Sequence, residues 1–482
     1  MLTEQDIRSL QAVLGEGKVF VDHETLEKYS SDMGGFCRKP SAVVKAFSVE
    51  DVSKVLRYCN QRRIPVTAWG AGSSLTGAVV TDNLILDLSN MDRILKIDTV
   101  NYYVHAEAGV VLDRLNKELE RYGFFFPPDP ASSFICTVGG AVAEGAGGLR
   151  CVKYGTVKDW VLAVKVVLAS GEAVVFGEPL AKNRAGYNLA QLFVGSEGTL
   201  GVIVEVWLKI APLPDARLRR IYAVFDDWRD AGNTIIEIRQ KRIVPRMLEF
   251  FDRVGVEAAN KFHGTNLHVG EAMLLIDIEE FTGKELEKLV SVLKHNNARV
   301  IRVAENEEEA EMLLQTRASM YLAIRATAKT VLVEDVCVPI DRILDYLEKV
   351  KQLSQKHGLT ISMNGHAGDG NIHPVIFYDP ENPDEVARAE KTVEVLVQFA
   401  IEVGGTVTGE HGVGLQKMDG LVKQLAAHNG IQTLYLMQKL KKVFDPNNIL
   451  NPGKYIDVPW KSSESTSEHP TQDSGSSDPT AR

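Results

Sequence analysis

The stretch Trp69-Gly-Ala-Gly-Ser-Ser-Leu-Thr-Gly77 decides the fold. Before it come a short apolar run from Val43, an amphipathic stretch that begins at Ser48, and the apolar segment Pro65-Val-Thr-Ala68. This order predicts a strand, a capped helix and a second strand. After the glycines, Leu84-Ile-Leu-Asp87 has the composition of another strand. The glycine segment is therefore predicted to be a turn between two strands, with no helix directly behind it.

The glycine spacing distinguishes two ways of binding a dinucleotide. A Rossmann fingerprint places Gly-x-Gly-x-x-Gly at the start of a helix whose N-terminus meets the pyrophosphate. Here the glycines are Gly70, Gly72 and Gly77, no helix is expected to follow, and there is no Gly-x-x-x-x-Gly-Lys-Ser/Thr loop. Consecutive backbone N–H groups of a glycine turn can still bind phosphate oxygens without a helix dipole. The segment is thus a candidate phosphate loop of a non-Rossmann kind.

More glycine clusters follow in the same part of the chain. Pro127-Pro-Asp-Pro130 leads into Thr137-Val-Gly-Gly140, Glu144-Gly-Ala-Gly-Gly148 and Lys153-Tyr-Gly155. Ordinary loops are the alternative interpretation, but so many glycines allow close backbone approach to something flat or phosphorylated. The composition therefore favours a large bound cofactor.

Length, composition and charge exclude several classes of protein. A chain of 482 residues is too long for one ordinary core, and 45% hydrophobic with 24% charged residues is typical of globular domains. The net charge of −10 with scattered basic residues argues against nucleic-acid binding. The five cysteines form no Cys-x-x-Cys pair, so no iron-sulfur cluster is expected in this chain.

No signal peptide is expected at the N-terminus, which lacks basic and apolar segments of that kind. Met1-Leu-Thr-Glu-Gln-Asp6 is acidic, and no apolar run approaches the roughly 20 residues that cross a bilayer. A cytoplasmic protein without an integral membrane segment is expected, with peripheral membrane attachment through a partner as the alternative. The Pro-rich segment 211–214 predicts a boundary between a first domain, 1–214, and a second, 215–456, while 457–482 is polar and predicted to be disordered.

Two glycine-rich segments of the second domain contain three histidines and a glutamate. They are His366-Ala-Gly-Asp-Gly-Asn-Ile-His373 and Gly409-Glu-His-Gly412. Imidazoles and a carboxylate on ordered loops make a candidate site for a metal and for proton transfer, in a hydrolase as well as in a redox enzyme. Asp369 and Asn371 either support the histidines or belong to a tight Asp-Gly-Asn turn.

Together these motifs resemble the FAD-dependent oxidoreductases of the vanillyl-alcohol-oxidase or PCMH type. Within that family the chain is similar to the branch of glycolate oxidase catalytic subunits and D-lactate or D-2-hydroxyglutarate dehydrogenases. The resemblance covers about residues 10–456 and rests also on Gly195-Ser-Glu-Gly-Thr-Leu-Gly201 and on the closing segment 444–453. It implies an α+β fold: a PCMH-type FAD-binding domain of two α/β subdomains, and an α+β cap domain with a helical C-terminal segment.

The resemblance also implies which residues contact FAD. The loop from Gly70 to Gly77 would hold the pyrophosphate, and later residues would line the adenine, ribose or flavin. The full set is Gly70, Ala71, Gly72, Ser73, Ser74, Gly77, Pro128, Asp129, Thr137, Gly139, Gly140, Ala143, Gly147, Gly148, Tyr154, Gly155, Glu197, Gly198, Gly201, Ile203 and Asn451. Since 65–80 contains no His or Cys, non-covalent FAD is expected.

By the same resemblance, the histidine segments carry the chemistry. His366, His373 and Glu410 would bind a divalent metal, which their residue types allow to be zinc, manganese or iron. His411 would act as the general base, because an imidazole has an unperturbed pKa near 6.5, suited to proton transfer.

The substrate carboxylate requires a guanidinium fork. Arg317 resembles the arginine with this role in relatives, with Tyr321 as a second contact; an exposed helix arginine is the alternative interpretation. Branches with dicarboxylate substrates carry a further lysine before the strand that corresponds to 331–339. Lys329 is offset from that position, and Arg325 is another candidate anion partner. A small monocarboxylate, D-lactate or glycolate, is therefore preferred over 2-hydroxyglutarate.

The expected activity is oxidation of a small D-2-hydroxy acid to the 2-oxo acid, with hydride transfer to flavin N5. Electrons would then pass to an iron-sulfur subunit, an electron-transfer flavoprotein, a cytochrome or a quinone. The alternatives are a D-2-hydroxyglutarate-type dehydrogenase and a non-catalytic flavin-binding subunit of an oxidase complex. A non-redox relative of the alkylglycerone-phosphate synthase kind would carry consecutive histidines, which are absent here.

Overall fold

The computed structural model describes residues 2–458. The predicted disordered tail, 457–482, lies outside the described residues except for its first two positions.

The first part of the chain consists of short strands with helices between them. Its strands are β1 Val19–Phe20, β2 Ala42–Lys45, β3 Val66–Trp69, β4 Leu84–Asp87, β5 Ile94–Asp98, β6 Tyr103–Glu107, β7 Phe124–Phe125, β8 Val161–Val167, β9 Ala173–Gly177, β10 Val202–Lys209 and β11 Ala211–Pro212. Its α-helices are α1 Glu4–Leu14, α2 His23–Lys28, α3 Val49–Arg62, α4 Leu112–Glu120, α5 Val138–Glu144 and α6 Cys151–Tyr154.

The first sheet has the strand order β1-β2-β4-β3, in which β2, β4 and β3 run parallel. Helix α3 connects β2 to β3 and begins at Ser48, whose side chain accepts the N–H of Asp51 at 3.2 Å. The capping hydroxyl satisfies a backbone donor that the helix leaves unpaired. No helix lies between Gly70 and β4. The predicted strand, capped helix, strand and glycine turn are therefore confirmed.

The second sheet is antiparallel, with the order β5-β6-β10-β8-β9. Alternate residues of its central strands face two different cores, as the two-residue period of a strand requires. Val204 packs with the first sheet and α3, whereas the adjacent Ile203 packs with α4 and α5. Both faces of this sheet are therefore covered.

The second part of the chain contains one eight-stranded antiparallel sheet. Its strands are β12 Arg217–Phe225, β13 Met247–Asp252, β14 Ala272–Glu280, β15 Val300–Val303, β16 Thr330–Val333, β17 Val336–Cys337, β18 Ile361–His366 and β19 Asn371–Tyr378. Its α-helices are α7 Trp228–Gln240, α8 Arg253–His263, α9 Lys284–His295, α10 Glu307–Ala318, α11 Met320–Arg325, α12 Ile343–His357, α13 Pro383–Glu402, α14 Met418–Gln424 and α15 Gln432–Phe444.

Two hydrophobic cores flank this sheet. Helices α7, α9, α12 and α13 contribute apolar side chains to one core, and α8, α10 and α11 to the other. The architecture is α+β, as predicted from the sequence.

The end of the described chain returns to the first part. Val66 donates its N–H to Ile449 O at 2.7 Å, and Asn451 donates its N–H to Val66 O at 2.8 Å, so this segment lies alongside β3. Leu415 donates its N–H to Thr76 O at 2.8 Å, which attaches a second loop to the glycine turn. The loop that carries His411 is thereby held against the first part of the chain.

Candidate active site

A cavity lies beside the glycine turn, between the end of β3, helix α5 and the start of β10. The predicted cofactor residues in its wall are Gly70, Thr137, Gly139, Gly140, Ala143, Glu197, Gly198, Gly201, Ile203 and Asn451. The wall also contains residues that the sequence prediction did not include: Ala68, Trp69, Ala78, Val79, Leu88, Ala108 and Glu144.

The glycines of this wall serve two purposes. A Cβ on Gly139 would lie 2.5 Å from Ala108 Cβ, and one on Gly201 would lie 2.3 Å from Val166 Cγ1, so these glycines permit close packing of the wall itself. Gly198 has φ +68° and nothing within 4 Å of the position of a Cβ. Bare backbone in this wall gives a flat group close access, which fits a dinucleotide with a planar ring system.

The remaining predicted cofactor residues lie outside this wall: Ala71, Gly72, Ser73, Ser74, Gly77, Pro128, Asp129, Gly147, Gly148, Tyr154 and Gly155. Two of these residues, Asp129 and Tyr154, form hydrogen bonds with other residues of the protein. Asp129 accepts hydrogen bonds from Arg150 N at 2.9 Å and Nε at 2.7 Å, and the Tyr154 hydroxyl donates to Glu279 at 2.6 Å. Their role toward FAD stays a prediction.

The three histidines and the glutamate converge in space. His366 ends β18, His373 lies on β19, and Glu410 and His411 lie on the loop that follows α13. Glu410 Oε1 is 3.1 Å from His366 Nε2, 3.4 Å from His373 Nε2 and 3.9 Å from His411 Nε2. Two atoms that each lie about 2.1 Å from one metal ion are roughly 3.0–3.4 Å apart at octahedral to tetrahedral angles. The separations of Glu410 from His366 and from His373 therefore suit pairs of ligands on one divalent metal.

A buried carboxylate orients the first of these histidines. His366 Nδ1 lies 2.8 Å from Glu249 Oε1, which leaves Nε2 facing Glu410. Glu249, whose side chain is fully buried, also accepts a hydrogen bond from Arg317 Nε. Such a carboxylate fixes the tautomer of a metal-binding imidazole. Sequence reasoning missed Glu249, although a single acid inside the apolar strand 247–251 was a usable signal.

A second buried carboxylate, Asp335, holds the loop of Glu410 and His411. Its Oδ2 accepts the backbone N–H groups of Gly409 at 3.1 Å, Glu410 at 3.1 Å and His411 at 2.8 Å. Asn371 Nδ2 donates to Asp335 Oδ1 at 2.8 Å.

Asn371 therefore supports the histidine loop through Asp335. The tight-turn interpretation also holds, because Asn371 N donates to Asp369 Oδ1 at 3.3 Å. Asp335, His373, Glu410 and His411 each place one ligand atom within 4.8 Å of the others. Asp335 was missed as well.

The electrostatics separate the roles of the histidines. Burial alone would lower the pKa of His366, but Glu249 and Glu410 on either side raise it well above its ordinary value. Burial alone would raise the pKa of Glu410, but His366 and His373 lower it well below its usual range. Burial lowers the pKa of His411 to about 4, and the nearby Asp335 offsets this only in part. His411 is thus neutral near pH 7 and able to accept a proton.

The histidine cluster adjoins the cavity. A Cβ on Gly147 would lie 2.7 Å from Glu410 Oε2, so the glycine-rich segment of the first part touches the cluster directly. Glu197, in the cavity wall, accepts the N–H of Val413 at 2.7 Å and of Gly414 at 2.8 Å. The loop that carries Glu410 and His411 thus packs against the wall of the cavity.

Known proteins share this combination of domains. Residues 215–455 match the family model described as "FAD linked oxidases, C-terminal domain", and residues 40–177 match the model described as "FAD binding domain". The chain belongs to the FAD-linked oxidases.

The relatives extend over nearly the whole chain. The glycolate oxidase subunit GlcD of Bacillus subtilis is 35% identical over 444 residues, 91% of this chain and 92% of the relative. D-lactate dehydrogenase of Anaerostipes hadrus is 35% identical over 458 residues, 91% of this chain and 94% of the relative. The crystal structure of p-cresol methylhydroxylase with substrate bound matches with a TM-score of 0.74 and 19% identity, covering 95% of this chain and 98% of that chain. The predicted PCMH-type fold is confirmed, and this FAD-linked oxidase is an oxidoreductase.

The residues of the FAD-linked oxidase that were predicted to contact the substrate differ in their exposure and in their partners. Arg317 is 9% exposed and pairs with Glu249, so the exposed-helix interpretation is wrong. Tyr321 lies on α11 with 39% of its surface exposed. Lys329 is paired with Asp379 at an exposed site, and Arg325 donates to Lys329 O at 2.9 Å.

Within residues 2–458 of this FAD-linked oxidase, no helix combines the length and the apolar character that crossing a membrane requires.

Proposed function

We propose that this FAD-linked oxidase oxidises a small D-2-hydroxy acid, D-lactate or glycolate, to the 2-oxo acid. One observation carries the proposal: a neutral histidine and a carboxylate-histidine cluster adjoin the cavity of the FAD-binding part. The names of the relatives, a glycolate oxidase subunit and a D-lactate dehydrogenase, support the substrate class. We further propose non-covalent FAD, and a division into domains 1–214 and 215–456, since β11 ends at Pro212 and β12 begins at Arg217.

The proton acceptor is His411. Removing a hydride from the α-carbon requires loss of the hydroxyl proton as well, and an alcohol is a poor acid near neutrality. Because burial lowers the pKa of His411 to about 4, its imidazole is in the base form at neutral pH. His411 Nδ1 lies 3.8 Å from Asp335 Oδ2 and Nε2 lies 3.9 Å from Glu410 Oε1, so a buried carboxylate stands near each ring nitrogen and would stabilise the protonated ring. When bound, FAD supplies the hydride acceptor.

The metal ligands are His366, His373 and Glu410. A divalent metal, when bound, supplies a Lewis acid that favours loss of the hydroxyl proton. Glu410 gives the set a negative charge, and imidazoles that lose their protons when the metal binds, together with a carboxylate, suit zinc, manganese or iron. Glu249 holds His366 with Nε2 toward Glu410, so this ligand is oriented before any metal binds.

Arg317 binds the substrate carboxylate, with Tyr321 as a second contact. A guanidinium has five N–H donors, and the contacts with Glu249 and His366 involve only Nε and Nη2. Donors therefore remain for a carboxylate that lies against the cluster. Lys329 is occupied by Asp379 at the surface, which favours a small monocarboxylate over 2-hydroxyglutarate.

The electrons leave the chain through a partner. The five cysteines are free and lie apart at Cys37, Cys59, Cys136, Cys151 and Cys337. We propose an iron-sulfur subunit, an electron-transfer flavoprotein, a cytochrome or a quinone as acceptor.

Anaerobic flavin reduction tests the proposal. The purified protein is mixed with D-lactate, L-lactate, glycolate and D-2-hydroxyglutarate, and the flavin absorbance is followed while the metal content of the same preparation is measured. We expect bleaching with D-lactate or glycolate, slower bleaching after chelation, and little with L-lactate. Full flavin absorbance after the whole panel would reject the activity, and unchanged rates in metal-free protein would reject the metal.

A further inference from the structure

Glu144 ends α5 in the wall of the cavity and has no role in the proposed chemistry. Its Oε2 is buried and makes no hydrogen bond to any of residues 2–458. A buried polar atom without a partner costs roughly 1–3 kcal/mol. Such an atom in a cofactor cavity indicates that its partner is supplied by the bound group.

The neighbouring Glu197 is the member of the pair whose two oxygens both accept hydrogen bonds, although burial raises its pKa to about 7. Its Oε1 accepts the N–H of Val413 at 2.7 Å, and its Oε2 accepts the N–H of Gly414 at 2.8 Å. Both oxygens thus act as acceptors, which suits a carboxylate. Glu144 Oε2 and Glu197 Oε1 both lie within 3.0 Å of the point where a Cβ on Gly412 would stand, so the two carboxyl groups are neighbours.

The surrounding groups favour a proton shared within this pair. The basic side chain that faces it is Lys454, 2% exposed, which donates to Asn451 Oδ1 at 2.6 Å and to Ala78 O at 3.0 Å. Burial lowers the pKa of Lys454 to about 7, which weakens it as a counter-charge. Asp32 adds a further negative charge nearby. Burial, reinforced by Glu197, raises the pKa of Glu144 well above its ordinary value. Two buried carboxyl groups so close share a proton more readily than they both ionise.

We propose that Glu144 is a neutral carboxylic acid whose Oε2–H donates a hydrogen bond to the flavin ring of FAD. The proposal rests on the proposed FAD site in the cavity. The close approach to Gly412 places this donor beside the residue that follows His411, the proposed proton acceptor. Reduction adds negative charge to the ring, so a neutral donor there favours reduced over oxidised cofactor. An ionised carboxylate in the same place would favour the oxidised form.

Two substitutions separate these charge states. Glu144→Gln keeps the size and a donor, whereas Glu144→Leu removes the donor. The midpoint potential of the bound flavin, measured by titration with a chemical reductant, gives the ratio of affinities for reduced and oxidised FAD. We expect Glu144→Gln to stay within about twofold of the parent ratio and Glu144→Leu to lower it about fivefold to tenfold, as loss of one hydrogen bond does. A large rise of this affinity ratio in Glu144→Gln, or an unchanged ratio in Glu144→Leu, would overturn the proposal.

Isotope-edited infrared spectroscopy of the full chain is an independent readout that does not need a folded leucine variant. We expect a carboxylic-acid C=O band that is lost in Glu144→Gln, is kept in the remote control Glu348→Gln, and shifts when FAD binds. A missing band would overturn the proposal. Neither measurement uses a hydroxy acid, so failure of the substrate assignment leaves both interpretable. If Gly198→Ala, which narrows the cavity, leaves the affinity for FAD unchanged, the assignment of this cavity as the FAD site is wrong instead.

Discussion

The cavity and the histidine cluster adjoin each other but are built by opposite means. The cavity wall consists largely of glycines, small side chains and backbone, with Glu144 and Glu197 as its carboxyl groups. The cluster consists of charged and polar side chains, each with a buried partner such as Glu249 or Asp335. The difference indicates that the cavity binds by shape, whereas the cluster acts through the protonation state and orientation of its groups. Substitutions in the two regions should therefore affect different measurements.

The largest expected effect is in the cluster. His411→Ala removes the proposed proton acceptor, and positioned acid-base groups contribute roughly 10²–10⁴-fold to rates. We expect the rate of flavin reduction by the hydroxy acid to fall by that factor, while the affinity for FAD stays within about twofold. The matched control is His295→Ala, since His295 lies on the surface with 74% of its side chain exposed. A His411→Ala protein that reduces its flavin at the parent rate would remove His411 from the mechanism.

The next prediction tests whether the buried carboxylate beside His366 contributes to metal binding. Glu249→Gln keeps the size but removes the charge that faces His366 Nδ1 and Arg317. Loss of such an orienting carboxylate typically lowers metal affinity 10–100-fold, and we expect that range in a metal titration. FAD affinity should not change, because Glu249 lies outside the cavity wall.

Glu348→Gln is the control for this substitution, since its partner Arg229, 2.7 Å away, lies on an exposed surface. Equal metal affinity in Glu249→Gln and in the parent protein would show that His366 needs no orientation by this carboxylate.

Only part of this site was predictable from the sequence. The turn at Gly70–Gly77 and the histidines at 366, 373 and 411 stand in local motifs, and local motifs determine local structure. The lone acid Glu249 was visible in the sequence, but its partner was not predictable because sheet pairing sets it: Phe250 lies opposite Gly365, which places Glu249 beside His366. Asp335 likewise acts on a loop more than seventy residues away in the chain. Such contacts depend on strand order, which no local pattern encodes.

The fold was more predictable than the site for the same reason. The alternation of apolar segments and amphipathic stretches predicted β2, α3, β3 and β4. The return of 445–456 to β3 was not expected, although Asn451 had been assigned to the cofactor by resemblance. That segment places Asn451 Nδ2 within 2.9 Å of Ala78 O, in the cavity wall.

A smaller effect is expected in the cavity. Gly198→Ala adds a methyl group to the wall at a residue with φ +68°, a left-handed conformation that costs non-glycine residues roughly 1–2 kcal/mol. We expect FAD affinity to fall about tenfold, with the metal content of the cluster unchanged. Gly264→Ala is the matched control, because Gly264 has φ +66° and ends the remote helix α8. If both variants lose stability equally and bind FAD equally, Gly198 does not contact the cofactor.

The smallest effect separates charge that acts in catalysis from charge that only stabilises the fold. The first part has its own buried set of charges on the second sheet: Glu205 lies 2.7 Å from His105 Nε2 and 2.9 Å from Lys165 Nζ. Burial alone would raise the pKa of Glu205, but the hydrogen bonds from His105 and Lys165 lower it below its ordinary value. An acid with a lowered folded-state pKa stabilises the protein above its unfolded-state pKa, and this stabilisation is lost as the pH falls through the folded-state value.

Glu205→Gln should therefore lower the free energy of unfolding at pH 7 by about 0.5–1 kcal/mol, because the set is partly screened by solvent. The variant and parent should converge as the pH falls through the lowered folded-state pKa of Glu205, as measured by urea denaturation. Flavin reduction by the hydroxy acid should stay at the parent rate, because Glu205 touches neither the cavity nor the histidine cluster. A constant difference in stability at every pH would mean that packing, and not charge, is the contribution of Glu205.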